Sequence, residues 1–150
     1  MTATATQAVR LARTIHATPE RLFRAWTDPK ELANWWHMED AGSSFAGATV
    51  DAKVGGRYRI GMKNAEGKTH VAVGEYREVK RPTRLVFTWN WEDDTMGGSN
   101  TLVTVEFKDV GGGNTEVTLT HERFADAKTA QGHEHGWTQL LRMLDTAVSG

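Results

Sequence analysis

Gly136-Trp137-Thr138-Gln139-Leu140-Leu141-Arg142-Met143-Leu144-Asp145-Thr146-Ala147-Val148 decides the fold. Within it Trp137, Leu140, Leu141, Leu144 and Val148 recur at the spacing of an amphipathic helix with one apolar stripe. Run back to about Asp126, that helix is ~34 Å long at 1.5 Å per residue. This is the width of about six or seven strands spaced ~4.8 Å apart, so one helix can span a whole sheet.

Upstream the pattern changes to alternation, the mark of strands with one buried face. Val117 and Leu119 alternate with polar residues, as do Val103, Val105 and Phe107, then Leu85, Phe87, Trp89 and Trp91. Val71, Val73, Tyr76 and Val79 form a further strand segment, and Tyr58, Ile60 and Met62 another. Between them lie turn residues: Gly55-Gly56, Asn64 to Gly67, Arg81-Pro82-Thr83 and Gly111-Gly112-Gly113-Asn114. The stretch Glu92 to Asn100 is long, acidic and glycine-rich, and residues 37–47, with Gly42, Ser43, Ser44 and Gly47, read as a loop. Hairpin following hairpin predicts an antiparallel sheet. The glycine run Gly111 to Gly113 is read as a hairpin turn, because no helix and no Lys-Ser or Lys-Thr follows to make a phosphate loop.

Near the start, Val9, Leu11 and Ile15 alternate as a first strand, with Arg13 interrupting the apolar register. Thr18 then caps a helix whose first residue is Pro19, with Leu22, Phe23 and Trp26 at helical spacing. Asp28 and Pro29 begin a second helix, with Glu31 placed for a capping box and Leu32, Trp35 and Trp36 on one face. Each helix is expected to run about two turns. The order of elements is α+β: a strand, two short helices, a run of antiparallel strands, and a long final helix gripped by the curved sheet.

The chain has 150 residues and is read as one domain, residues 1–150, with residues 1–8 as a flexible N-terminus. Its 18 Lys and Arg against 19 Asp and Glu leave a net charge of −1, which argues against nucleic acid as a partner. With no cysteine, disulfides, iron–sulfur clusters, thiolate zinc sites and cysteine nucleophiles are excluded. The Thr- and Ala-rich start lacks the pattern of a secretory signal, and no apolar run approaches a membrane span, so a cytoplasmic location is expected.

Six motifs in order carry a resemblance: Pro19-Glu20-Arg21-Leu22-Phe23-Arg24-Ala25-Trp26-Thr27-Asp28-Pro29, Trp35-Trp36, Gly55-Gly56-Arg57-Tyr58, Gly74-Glu75-Tyr76-Arg77-Glu78-Val79, Arg84-Leu85-Val86-Phe87-Thr88-Trp89 and Gly136-Trp137. From about residue 9 to the end the chain resembles the AHSA-type branch of the START-like (SRPBCC, helix-grip) superfamily. That branch is named after the C-terminal domain of an activator of a heat-shock-protein ATPase. The resemblance implies a six- to seven-stranded curved sheet around the long C-terminal helix, with a cavity between them that holds a hydrophobic small molecule in many members. It supplies no common catalytic residue set, and no cofactor is expected.

The six Trp are the most informative excess. Trp26, Trp35 and Trp137 lie on apolar helical faces and suit a core; Trp89 and Trp91, on the strand face of Leu85 and Phe87, suit either packing or the wall of an aromatic pocket. An empty, dry cavity of ~300 Å³ would cost ~7 kcal/mol, so either aromatics fill it or something else does. Of the six histidines, only His133 and His135 are close in sequence, and helical geometry turns them ~200° apart, which is wrong for one metal. The histidines are read as surface or cap residues. His37-Met38-Glu39-Asp40 has acid–base residue types without any sign that they converge. Ser43 and Ser44 lack a nucleophile-elbow context. Arg57, Arg59, Arg77, Glu75 and Glu78 are expected to pair across the solvated sheet face, with Arg57 or Arg59 the candidates to orient an acidic ligand group.

The leading expectation is a non-enzymatic binder of a small hydrophobic molecule, aromatic or lipid-like, as a monomer or homodimer. Its cavity residues are expected to be Trp35, Trp36, Met62, Phe87, Trp89, Trp91, Phe124, Trp137, Leu141 and Leu144. Two alternatives stay open. One is a co-chaperone or regulatory domain acting in the stress response on a protein partner, although the N-terminal module of the eukaryotic activator is not expected here. The other is a cyclase- or hydrolase-type enzyme using His or acidic residues inside the cavity.

Overall fold

The first strand, β1 (Gln7–Ile15), buries Val9 and Ile15 and holds Arg13 on the same inward register. Arg13 keeps that place because its Nε donates to Asp145 Oδ2 of the final helix at 2.8 Å. The computed structural model describes residues 7–38, 41–92 and 100–149. Residues 7 and 8 of the expected flexible start therefore belong to a strand, and residues 1–6 lie outside the described residues, as do Glu39, Asp40 and most of the acidic stretch, 93–99.

Helix α1 (Pro19–Thr27) starts where Thr18 accepts from the Arg21 N–H at 3.1 Å, and it buries Leu22, Phe23, Ala25 and Trp26. Asp28 ends it and begins α2 (Pro29–Leu32): its N–H donates to Arg24 O while its carboxylate accepts from the Lys30 N–H. The expected capping box does not close, because the Asp28 N–H it would need is already committed to α1. Glu31 pairs with Arg21 at 2.8 Å instead. Helix α2 is one turn rather than two, since Asn34 and Trp35 donate three residues back, to Glu31 and Leu32, and tighten the chain into a turn.

Six further strands follow: β2 (Ser44–Val50), β3 (Arg57–Lys63), β4 (Thr69–Lys80), β5 (Arg84–Trp91), β6 (Thr101–Gly111) and β7 (Asn114–Phe124). All neighbours are antiparallel, in the order β1-β7-β6-β5-β4-β3-β2. Consecutive strands β1 and β2 are thus the two opposite edges, so α1, α2 and the segment after them carry the chain from one edge to the other. β2 occupies part of the expected loop; a register shift between Phe45 and Ala48, with Gly47 at φ 97°, breaks the alternation that would have revealed it.

Strand β4 shifts register against β5 between Tyr76 and Glu78, close to Gly74. A Cβ on Gly74 would lie 1.9 Å from Thr88 O, so the backbones approach closely only because the residue is glycine. In that notch the Tyr58 hydroxyl donates to Thr88 O at 2.6 Å. On the outer face the expected charge pairing is present in part: of the five residues named, Arg77 and Glu75 pair with each other, 3.3 Å apart along β4, while Arg59 makes two 2.9 Å bonds to Glu92 and Glu78 pairs with Arg84, which also reaches Glu106.

Helix α3 (Ala127–Val148), capped by Asp126 accepting from the Thr129 N–H at 2.7 Å, has 22 residues. At ~33 Å it lies across the concave sheet face. Among the described residues no helix is long and apolar enough to cross a membrane.

Candidate functional site

The six indoles form one continuous cluster. Trp26 stacks on Trp137 at 5.9 Å and meets Trp35 at 4.8 Å; Trp36 touches Trp35, Trp89 and Trp137; and Trp89 lies 5.1 Å from Trp137 and 5.3 Å from Trp91. This cluster divides the space under α3 in two. Toward the C-terminal half of the helix, Trp26 and Trp35 pack with Phe23, Phe107 and Leu144 into a filled core. Toward the N-terminal half, Trp36, Trp89, Trp91 and Trp137 wall a cavity of about 570 Å³.

The cavity is built from six segments. Trp36 and Met38 come from the chain after α2, Ala41 and Ser43 from the loop before β2, Met62 and Asn64 from the end of β3, His70 from β4, and Trp89 and Trp91 from β5. Helix α3 supplies the rest, from Lys128 and Thr129 through Gly132, His133, Gly136 and Trp137 to Leu140, one stripe at a spacing of four residues. Gly132 and Gly136 keep that stripe open. A Cβ at Gly132 would meet nothing within 4 Å, and one at Gly136 would find only Met38 Sδ at 3.9 Å. Glycine inside a helix costs ~1 kcal/mol relative to alanine, so the two residues spend helix stability on empty volume.

Of the residues expected to line the cavity, Trp36, Met62, Trp89, Trp91 and Trp137 do so. Trp35, Phe87, Phe124, Leu141 and Leu144 do not border it. Trp35 turns the opposite way from its neighbour Trp36 and donates its Nε1–H to Ala25 O at 3.0 Å. Phe87 packs on Tyr58 and Tyr76, Leu141 and Leu144 lie in the filled half, and Phe124 stacks behind the wall on His121 at 4.2 Å and His133 at 4.8 Å. Neither Arg57 nor Arg59 enters the cavity; both lie with Arg77 along a polar hollow on the other face of the sheet. His37 does not border the cavity either, and its partners in the acid–base motif, Glu39 and Asp40, lie outside the described residues.

Two histidines correct the expectation that these residues are surface or cap groups. His121 is wholly buried, with Trp137 Nε1–H donating to its Nδ1 at 3.0 Å. An indole nitrogen is a donor only, so the imidazole proton sits on Nε2 and is given to Thr101 Oγ1 at 2.7 Å, which donates in turn to Trp89 O at 3.0 Å. Burial, with His133 nearby, pushes the His121 pKa down to about 2. His133, half-buried in the cavity wall, accepts from Trp91 Nε1–H at its Nε2, 2.9 Å away, and donates from Nδ1 to Thr129 O at 2.9 Å. Its pKa is also lowered, chiefly by burial. Each histidine is thus a neutral ring held by one indole N–H. Trp89 Nε1 and Trp26 Nε1, by contrast, are buried without partners among the described residues.

Residues 16–149 match the family described as activator of Hsp90 ATPase homologue 1-like protein, AHSA1. The chain belongs to the AHSA1 family. The helix-grip arrangement of curved seven-stranded sheet and long C-terminal helix is that of this family. A Chromobacterium violaceum protein of solved structure is 28% identical over 95% of this chain and 97% of its own, with a TM-score of 0.85. The AHSA1 protein of Silicibacter pomeroyi is 30% identical, covering 93% of this chain and 96% of its own, with a TM-score of 0.79. A more distant structure, an HSP90 activator from Plasmodium falciparum, shares the fold at 24% identity and a TM-score of 0.69, over 93% and 94% of the two chains. No curated protein matches the sequence.

Sequence reasoning missed Gly132, His133, Gly136, Met38 and His70 as cavity residues. A usable signal was present for the glycines: two of them one helical turn apart, on the face that also carries Trp137, are unfavourable for the helix unless space is needed there.

Proposed function

We propose that this AHSA1 protein binds a small hydrophobic molecule, aromatic or lipid-like in body, between the sheet and the N-terminal half of α3. The observation that carries this reading is the 570 Å³ cavity itself, walled by four indoles and held open by Gly132 and Gly136. Its volume is within the ordinary range of ligand pockets, ~300–1,000 Å³, and indole faces suit flat or hydrocarbon surfaces. Trp36, Met62, Trp89, Trp91 and Trp137 are the contact residues in this proposal. Native mass spectrometry of the purified protein, before and after mild organic extraction, tests it. A stoichiometric, extractable hydrophobic adduct is the expected result; an apo mass together with no uptake of added hydrophobic probes would end the reading.

A second reading, a regulatory domain that docks on a heat-shock ATPase in the cytoplasm, is favoured by the family description and by the HSP90 activator of Plasmodium falciparum. Retention of such an ATPase by the immobilised protein would support it, and repeated failure to retain one would remove it. An enzymatic reading with His133 as the base is weaker, because its Nε2 lone pair is already occupied by the Trp91 N–H.

A further inference from the structure

We propose that the outer face of the sheet carries an anion site for the phosphate groups of a small molecule, built on Arg57, Arg59 and Arg77 and separate from the cavity under α3. These three side chains line a polar hollow of about 440 Å³ across β3, β4 and β5. Two residues apart on β3, Arg57 and Arg59 project from the same face, with their Cα atoms ~6.6 Å apart. Arg77 joins them from β4. The chain as a whole carries a net charge of −1, so a concavity with three cations against one lining carboxylate, Glu75, is a local feature and not the mark of a basic protein.

The three arginines are not equally committed. Arg59 is held by two 2.9 Å bonds to Glu92, and Arg77 lies 3.3 Å from Glu75. The Arg57 guanidinium, although its strand position lies opposite Glu75, makes no ion pair among the described residues. Two neutral donors line the hollow with it. Thr88 Oγ1 accepts the Glu75 N–H at 2.9 Å and keeps its own proton to give, while Asn90, whose Oδ1 accepts the Asn100 N–H at 2.7 Å, keeps its NH2 group. A planar guanidinium gives a phosphate two parallel N–H bonds, and two guanidiniums at this spacing along a strand suit two linked phosphate groups. Glu75 opposes the anion, since its carboxylate lines the hollow and offsets Arg77. Its removal should therefore improve binding, which a merely solvated face of paired charges would not show.

The probe is inorganic pyrophosphate, titrated calorimetrically into the full chain in phosphate-free buffer at low ionic strength. Saturable one-to-one binding with a dissociation constant below about 1 mM is expected. Arg57→Ala should weaken it about tenfold, the loss expected for one charge-assisted hydrogen bond. Glu75→Gln should tighten it about fourfold, the factor for one unit charge ~5 Å away in a water-like dielectric. Arg10→Ala on β1 and Glu116→Gln on β7 make the same charge changes on strands outside the hollow and should leave the affinity alone. Misfolding cannot produce the Glu75→Gln gain. Absence of saturable binding by the wild type, or equal effects from the hollow and control variants, would overturn the proposal. Tighter, Arg57-dependent binding of hexaglutamate than of pyrophosphate would also overturn it, because the face would then be a docking surface for an acidic protein segment. The hydrophobic-guest reading of the cavity is independent of all these outcomes.

Discussion

Gly132 and Gly136 allow the cavity to be tested by opposing effects on stability and binding. Replacing either by alanine adds a methyl that meets nothing within 4 Å at Gly132 and only Met38 Sδ, at 3.9 Å, at Gly136. Helix propensity then acts without a clash, so each substitution should stabilise the fold by about 1 kcal/mol, which raises the melting temperature by roughly 2–4 °C in a chain of this size. Gly136→Leu goes further, because its side chain enters the cavity and buries apolar surface worth a further ~1.5–3 kcal/mol if it packs fully. The same leucine takes up space a guest would use. Thermal melts followed by circular dichroism should therefore show the leucine variant more stable than the wild type, while fluorescence titration with N-phenyl-1-naphthylamine shows weaker uptake. A variant that simply misfolds would lose on both measures. Lower melting temperatures for the alanine variants, or unchanged probe uptake by Gly136→Leu, would refute the assignment of open space over this helix face.

Acid should destabilise the protein through His121. Its folded pKa of about 2 lies below the ordinary histidine value, so the unfolded chain binds the extra proton first, and the stability that the neutral ring contributes above about pH 6.5 is lost as pH falls below it. Between pH 6.5 and 5 that amounts to roughly 2 kcal/mol, measurable by urea unfolding, and a flat profile across this interval would contradict the buried neutral ring. Trp137→Phe leaves the His121 Nδ1 lone pair without its donor and should cost about 1–3 kcal/mol in the same assay; no loss would mean that the bond contributes nothing. Asp145→Asn, which weakens a half-exposed pair with Arg13, should cost no more than about 1 kcal/mol, and a much larger loss would give that link a role the geometry does not assign it. Gly74→Ala should be severely destabilising, because the new Cβ would lie 1.9 Å from Thr88 O, and a variant with wild-type stability would contradict the close approach of the strands.

The long helix was legible because Trp137, Leu140, Leu141 and Leu144 repeat at its period, and most strands were legible because their apolar residues alternate without interruption. β2 escaped because a bulge at Gly47 shifts its register midway. The division between filled core and open cavity could not be read from residue type, since Trp35 and Trp36 are equally apolar yet face opposite regions. That choice is made by the turn after α2, which directs Trp35 to Ala25 O, and by which half of α3 lacks side chains. The buried histidines were hidden for a related reason. A His on a strand or helix is polar in any alternation pattern, and only the arrival of an indole N–H from a distant element lets it be buried neutral.

The central claim is that a hydrophobic guest sits against four of the six tryptophans and not against the other two. Indole N–H resonances in a nitrogen–proton correlation spectrum report each tryptophan separately, so titration of the labelled protein with N-phenyl-1-naphthylamine examines this directly. The account predicts that the signals of Trp36, Trp89, Trp91 and Trp137 shift saturably and most strongly, with Trp26 and Trp35 changing least. Saturable shifts confined to Trp26 and Trp35, or no shift in any of the six while the probe is in excess, would contradict it.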